Sequence, residues 1–230
     1  MISIIIPILN EVYTIEKTLV YVLENSHSDV EQEMILVDGG STDGTIEKLN
    51  PFLSEKIKLH HSTKGRAIQM NTGAKYAKGD VLYFLHADSF PPKHFDKHIL
   101  NKISKGYKAG CFRMQFDSNH WWLGLASWLT QFNWRACRGG DQSLFITKKL
   151  FEDIGGFDEK FKIFEDQIII KKLYQRKQFK VINHKLISSA RRYETNGIWK
   201  LQYHFWAIYV KRWLGASAED IYSYYKKNIK

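Results

Sequence analysis

The chain has 230 residues, 44% of them hydrophobic and 25% charged, with a formal net charge of +10; this is a globular composition with enough apolar mass for one sizeable core. Cys111 and Cys137 form no Cys-x-x-Cys pair, which argues against a disulfide framework, a zinc site or a redox motif. MISIIIPILNE has no basic region before its short apolar run, and no apolar run is long enough to span a bilayer, so neither a signal peptide nor a membrane span is expected and the cytoplasm is the expected location. The basic charge admits nucleic acid, nucleotide phosphates or an anionic membrane surface as partners.

ISIIIP is β-branched and unbroken, the pattern of a strand covered on both faces. YTIEKTLVYVLENS follows with Ile15, Leu19, Val22 and Leu23 on one helical face. EMILVDGG reads as a second buried strand ending in Asp38, STDGTIEKLNPFL as a turn and short helix, and IKLHHS as a weaker strand. KGRAIQMNTGAKYAKGD is a helix bounded by Gly65 and Gly79, and VLYFLHAD is the next strand. Strand and helix alternating in this way predict an α/β fold, a Rossmann-like mixed sheet flanked by helices. The second half continues with GYKAGCFRMQF as a strand and HWWLGLASWLTQFNW as an amphipathic stretch holding Trp121, Trp122, Trp128 and Trp134. GGDQSLFITKKLFEDIGGFDE is a strand, a short helix and a Gly-Gly turn; FEDQIIIKKLYQRKQ is a helix opening on Glu165 and Asp166. FKVINHKLISSARRYE is a strand running into Arg191 and Arg192, and IWKLQYHFWAIYVKRWL is an aromatic helix. No repeat or linker divides the chain, so one domain is expected. Its parts are a first half at about 1–118, a second half at about 119–190 and a helical tail at about 191–230.

In open α/β sheets ligands bind beyond the carboxyl ends of the strands. Asp38 and Asp88 both stand at such ends, and each also fits an ordinary Asx turn. VDGGSTDGT offers Gly39, Gly40 and Gly44 for close backbone approach but lacks the lysine of a phosphate loop. Lys64 and Arg66 open a helix, where cations oppose the dipole but N–H groups favour an anion. Arg191 and Arg192 add fixed positive charge. Asp88 is a candidate ligand for a divalent cation, with His86 beside it. Glu165 and Asp166 are acid/base candidates, although acidic residues in a first helical turn also serve the dipole.

Taken in order, SIIIPILNE, VDGGSTDGT, KGRAIQMNTGAKYAKGD, LYFLHADS, GGDQSLFITKKLFEDIGGFDE and FEDQIIIKKL resemble the family-2 glycosyltransferases of the GT-A fold. The HAD, GGDQ and SSARRYE variants resemble the compact bacterial subgroup described as radical-SAM/selenodomain-associated. The resemblance implies a nucleoside-diphosphate-sugar donor and an Mn²⁺ or Mg²⁺ cofactor. It places Pro7, Asn10, Glu11, Asp38, Gly39 and Asp43 around the nucleoside. Gly65, Arg66 and Asn71 fall beneath ribose and phosphates, and Asp88 at the last acid of the metal motif. Asp141 and Gln142 fall on the loop meeting donor sugar or acceptor, and Asp166, with Glu165 beside it, at the base. His86 departs from the pattern, standing where relatives begin the metal motif with Asp. Imidazole ligates Mn²⁺ better than Mg²⁺.

One base and no covalent intermediate would give inversion at the anomeric carbon. Two alternatives carry other chemistry. A nucleotidyltransferase would need a Gly-rich basic loop where this chain has PILNE, and a nucleic-acid-binding protein would need a clustered basic motif rather than scattered charges. Trp199, Trp206 and Trp213 recur every seven residues, which nearly preserves a helix face. That stripe fits packing over the sheet edge. It also fits an apolar or lipid-linked acceptor, or a peripheral contact with an anionic membrane, which would place the protein at the inner face.

Overall fold

The computed structural model describes residues 1–229. The first half is β1 (Ile2–Ile8), α1 (Ile15–Asn25), β2 (Gln32–Asp38), α2 (Thr45–Leu49), β3 (Ile57–His61), α3 (Arg66–Tyr76), β4 (Val81–Phe84), β5 (Ser89–Phe90) and α4 (Phe95–Ser104). The second half is β6 (Ala109–Phe116), α5 (Trp121–Leu129), β7 (Leu144–Thr147), α6 (Lys148–Asp153), α7 (Glu165–Gln175), β8 (Phe179–Ser188), α8 (Arg191–Asn196), α9 (Ile198–Trp213) and α10 (Ala218–Asn228).

The strands form one mixed sheet in the order β3-β2-β1-β4-β7-β6-β8-β5. β3, β2, β1 and β4 run parallel, Ile4 lying level with Met34 on one side and Tyr83 on the other. β7 is antiparallel to β4 and to β6, while β6 and β8 are parallel. The consequence is positional. The carboxyl ends of β1, β2, β4, β6 and β8 and the amino end of β7 all emerge along one edge, and the loops there converge.

β1 shows why the sheet is buried on both faces. Ile5 joins a core with Met70 of α3, Leu150 of α6 and Ile169 and Leu173 of α7. Ile4, Ile6 and Ile8 join the opposite core with Leu19 and Val22 of α1 and Phe95 and Ile99 of α4. This alternation is the period-2 pattern of a strand. Leu23 departs from the expected face of α1: it is exposed, and Ile15, Thr18, Leu19 and Val22 carry the packing.

Two glycines set distances that a side chain would spoil. A Cβ on Gly73 would meet Ile5 Cγ2 at 2.4 Å, so its absence lets α3 lie close on β1. A Cβ on Gly110 would stand 2.0 Å from the Lys180 carbonyl oxygen and 2.6 Å from the Phe145 ring, at the junction of β6 with both β7 and β8.

The tail holds a third cluster, in which Leu201 and Ile208 of α9, Ile221 of α10 and Ile229 pack with Phe161. The buried stripe of α9 is therefore Leu201–Ile208. The tryptophan stripe lies elsewhere on the helix: Trp199 and Trp206 are half-exposed, and Trp213 is 84% exposed. Trp199 instead meets Trp121 and Trp122 of α5, and Trp206 also approaches Trp122. α10, absent from the sequence reading, starts with a capping box between Ser217 and Asp220. Trp134 lies beyond α5 in a loop, stacked on Phe132.

Candidate active site

The carboxyl ends of β1 and β2 are tied together by Gln69, whose buried amide donates to the carbonyls of Ile8 at 2.7 Å and Val37 at 2.8 Å. Asp38 then turns the chain. Its carboxylate accepts from the N–H groups of Gly40 at 2.9 Å and Ser41 at 3.0 Å, the Asx-turn arrangement. Burial opposes its charge, but these bonds and His61 hold the carboxyl below the usual carboxylate range. Asn10, at φ 56°, accepts from Thr42 N–H, while Ser41 Oγ accepts from Asn10 N–H. Asp43 accepts from Val12 and Thr45. Pro7, Asn10, Glu11, Asp38, Gly39 and Asp43 thus come together at one end of the sheet, with several polar groups engaged in shaping the loops.

Glu11 and Asp88 face the β8 exit. Arg191 Nη2 lies 3.3 Å from Glu11 Oε1 and 3.9 Å from Asp88 Oδ2. No side chain or backbone N–H among the described residues donates a hydrogen bond to Asp88. Burial pushes its carboxyl above the ordinary value against the pull of His86, with Asp141 and Glu11 adding repulsion. His86 Nδ1 lies 3.5 Å from Asp141 Oδ1. Burial opposes ionisation of Asp141 too, but the His86 contact, with Arg66 and Arg192, holds that carboxyl at about 2.

Arg192 turns the other way. It donates to Tyr225 Oη and lies over the Phe205 and Tyr225 rings. The two arginines do not run off the strand in extended form; they open α8, and the turn sends them to different places.

Asp166 and Glu165, adjacent in sequence, also diverge. Glu165 is 1% exposed and pairs with Arg66 Nη1 at 3.3 Å. Burial raises its carboxyl against the Arg66 charge. Burial works against the Arg66 guanidinium too, but Glu165, then Asp141 and Asp166, raise it above the usual arginine value. Asp166 Oδ2 accepts from Gly140 N–H at 2.6 Å. Its Oδ1 makes no hydrogen bond with any described residue.

Above Asp166 and Asp141 opens a cleft of about 900 Å³. Leu129, Phe205, Trp206 and Trp213 give it apolar walls, and Arg135, Lys171, Arg192 and Arg212 supply positive charge. α9 therefore forms one wall of the site, which its seven-residue tryptophan spacing did not by itself reveal.

Two expected ligand residues have their amides bonded within the fold. Asn71 does not line the cleft; its amide donates to Phe157 O at 2.9 Å and its Oδ1 accepts from Phe157 N–H at 3.0 Å, fastening the loop that follows Gly155 and Gly156. Gln142 is buried, with both ends of its amide bonded to Arg138 and Cys137. Lys64 is exposed beside Gly65, and only Arg66 of that pair reaches Glu165.

The residues fit a divalent cation in part. Among the described residues no three His, Cys, Asp or Glu side chains form a metal cluster by themselves. Asp88 is a largely buried carboxylate with His86 two residues away and the Arg191 guanidinium at 3.9 Å. Such a pair needs ligand oxygens to complete a coordination sphere.

The sheet, its helices and a polar edge at the strand ends define the GT-A class, and solved structures agree. The mannosyltransferase PcManGT of Pyrobaculum calidifontis, in complex with GDP-Man and Mn²⁺, superposes with a TM-score of 0.67 at 19% identity, over 90% of this chain and 59% of that one. S. aureus TarS 1–349 in complex with UDP-GlcNAc gives 0.67 at 19% identity, over 82% and 58%. The glycosyl transferase family 2 model matches residues 3–168, and the chain belongs to that family.

Among relatives, a PGL/p-HBAD biosynthesis glycosyltransferase of Mycobacterium bovis is 40% identical over 178 residues, 72% of this chain and 66% of that protein. The glycosyltransferase AglE of Haloferax volcanii is 31% identical over 107 residues, 45% of this chain and 35% of that protein. The chain thus spans between about a third and two thirds of the length of these relatives. Family membership displaces the nucleotidyltransferase and nucleic-acid-binding alternatives. Among the described residues, no helix is long and apolar enough to cross a membrane.

Proposed function

We propose that the protein transfers a sugar from a nucleoside-diphosphate sugar to an acceptor hydroxyl with inversion, Asp166 acting as base. The observation that carries this reading is the position of Asp166: it lies on the floor of the cleft, with Oδ2 held by Gly140 N–H and Oδ1 open. An acceptor hydroxyl at Oδ1 would give up its proton as its oxygen bonds to the anomeric carbon. The bond from that carbon to the diphosphate oxygen breaks with its electron pair on the leaving diphosphate. A single displacement inverts the centre, and the proton ends on Asp166.

The donor would sit with its nucleoside near Pro7, Asn10, Glu11, Asp38, Gly39 and Asp43, and its diphosphate toward Asp88, Arg66 and Arg191. A divalent cation held by Asp88, with His86 available as a second ligand, would neutralise charge on the leaving diphosphate. PcManGT, solved with GDP-Man and Mn²⁺, and TarS, solved with UDP-GlcNAc, support this donor class. The HAD, GGDQ and SSARRYE variants support placement in the radical-SAM-associated subgroup. The aromatic and basic walls of the cleft favour an acceptor with an apolar part, lipid-linked and presented at an anionic membrane surface on the cytoplasmic side.

Asp166→Asn tests the central claim. The change keeps shape and removes basicity, so transfer should fall by about 10²–10⁴ while UDP or GDP affinity by calorimetry stays unchanged. Near-normal turnover in a folded variant refutes the assignment.

A further inference from the structure

Arg138 was no part of the sequence-derived site, yet it is the most heavily engaged side chain near it. It is buried, at 3% exposure, and pairs with no carboxylate among the described residues. Its guanidinium donates instead to five neutral acceptors. Nη2 reaches the carbonyls of Thr130 at 2.6 Å and Phe132 at 2.7 Å, and Nε that of Trp134 at 3.3 Å. Nη1 reaches Gln142 Oε1 at 2.6 Å and Cys111 Sγ at 3.2 Å. Burying a charge is expensive without such satisfaction, and an arginine fork is the side chain able to supply five directed donors.

These contacts have one geometric result. They gather three carbonyls from the outgoing arm of the 130–142 loop and Gln142 from its returning arm, closing the loop upon itself. Gln142 Nε2 adds a bond to Cys137 O at 2.6 Å. The loop is moored to the sheet by Thr130, which accepts from Met114 N–H at 2.9 Å, and to β8 by Asn133, which donates to Phe179 O at 3.3 Å. At the tip so formed, Gly140 N–H meets Asp166 Oδ2 and Asp141 meets His86. The Arg138 carbonyl itself accepts from Gln167 at 2.7 Å, fixing the loop to the first turn of α7.

We infer that Arg138 is the positioning residue of this enzyme's base: it folds the 130–142 loop so that the Gly140 N–H orients Asp166 and Asp141 orients His86. The inference rests on the reading of Asp166 as the acceptor base. The Gly140 hydrogen bond, at 2.6 Å, fixes which carboxylate oxygen of Asp166 is left for the acceptor. Loss of that bond would misplace the base.

Arg138→Lys keeps a charge but cannot make the fork. The expected result is at least a tenfold fall in kcat, with the donor KM and UDP or GDP affinity within about twofold of wild type. Hydrogen exchange should rise across 130–142. If that variant does not fold, Gln142→Leu removes the returning-arm acceptor and is read by the same four measurements. A folded variant with wild-type kcat and an undisturbed loop overturns the inference. The parent reading fails separately, through an active Asp166→Asn enzyme; a dead Asp166→Asn beside a normal Arg138→Lys sinks the Arg138 role alone.

Discussion

Replacing Arg66 by methionine leaves Glu165 as a buried carboxylate without its cation. The carboxylate is 2% exposed and the guanidinium 40% exposed, at 3.3 Å. Removing one partner of a fully buried pair costs roughly 3–5 kcal/mol. Water reaches the Arg66 side of this pair, which screens it, so about 2 kcal/mol is the expected loss at neutral pH. For a domain of this size that is a fall in Tm of about 4–8 °C. The pH dependence follows from the direction of the Glu165 shift, which is upward from burial. Without Arg66 it rises further. The penalty is therefore complete above the raised folded-state pKa and vanishes below the unfolded value of about 4.3, where the carboxyl is protonated in both states. Scanning calorimetry from pH 5 to pH 8 should show the gap between wild type and Arg66→Met widening with pH. Arg66→Met/Glu165→Gln should recover most of the loss, because no buried charge remains. A single variant within 1 °C of wild type at pH 7.5, or a double variant no more stable than the single, refutes the reasoning.

Asp88→Asn should abolish the gain in UDP or GDP affinity that Mn²⁺ confers on the wild type; equal affinity in Mn²⁺ and in chelator for the wild type itself would remove Asp88 from a metal role. Gly110→Ala should cost upward of about 3 kcal/mol, since its Cβ meets backbone rather than a flexible side chain, and an unchanged urea midpoint would contradict this. Trp206→Ala/Trp213→Ala should weaken co-sedimentation with anionic vesicles by about tenfold or more. Absence of sedimentation by folded wild type at low salt would assign those side chains to a soluble acceptor instead.

The periodicities of ISIIIP, EMILVD and VLYFL determined the alternating α/β order, because a strand buried on both faces must be continuously apolar and a surface helix cannot be. Their polar termini marked the edge where Asp38 and Asp88 stand, because a chain leaving the core must be solvated or bound. Those are local facts, and local sequence carries them. What only the tertiary structure decided is where each polar side chain spends its bonds. Asp38 and Asp88 read alike as strand-end acids, yet Asp38 is taken up by its own turn while Asp88 is left facing Arg191. Glu165 and Asp166 are neighbours, but successive side chains leave a helix about 100° apart, so one pairs with Arg66 and the other meets the Gly140 N–H. Arg138 finds its acceptors from Cys111 to Gln142. The face of α9 that is buried was settled by α10 and Phe161, which the tryptophan spacing could not register. Hydrogen-bond partners many residues apart are chosen by the packing of the whole sheet, and no short stretch of sequence contains that choice.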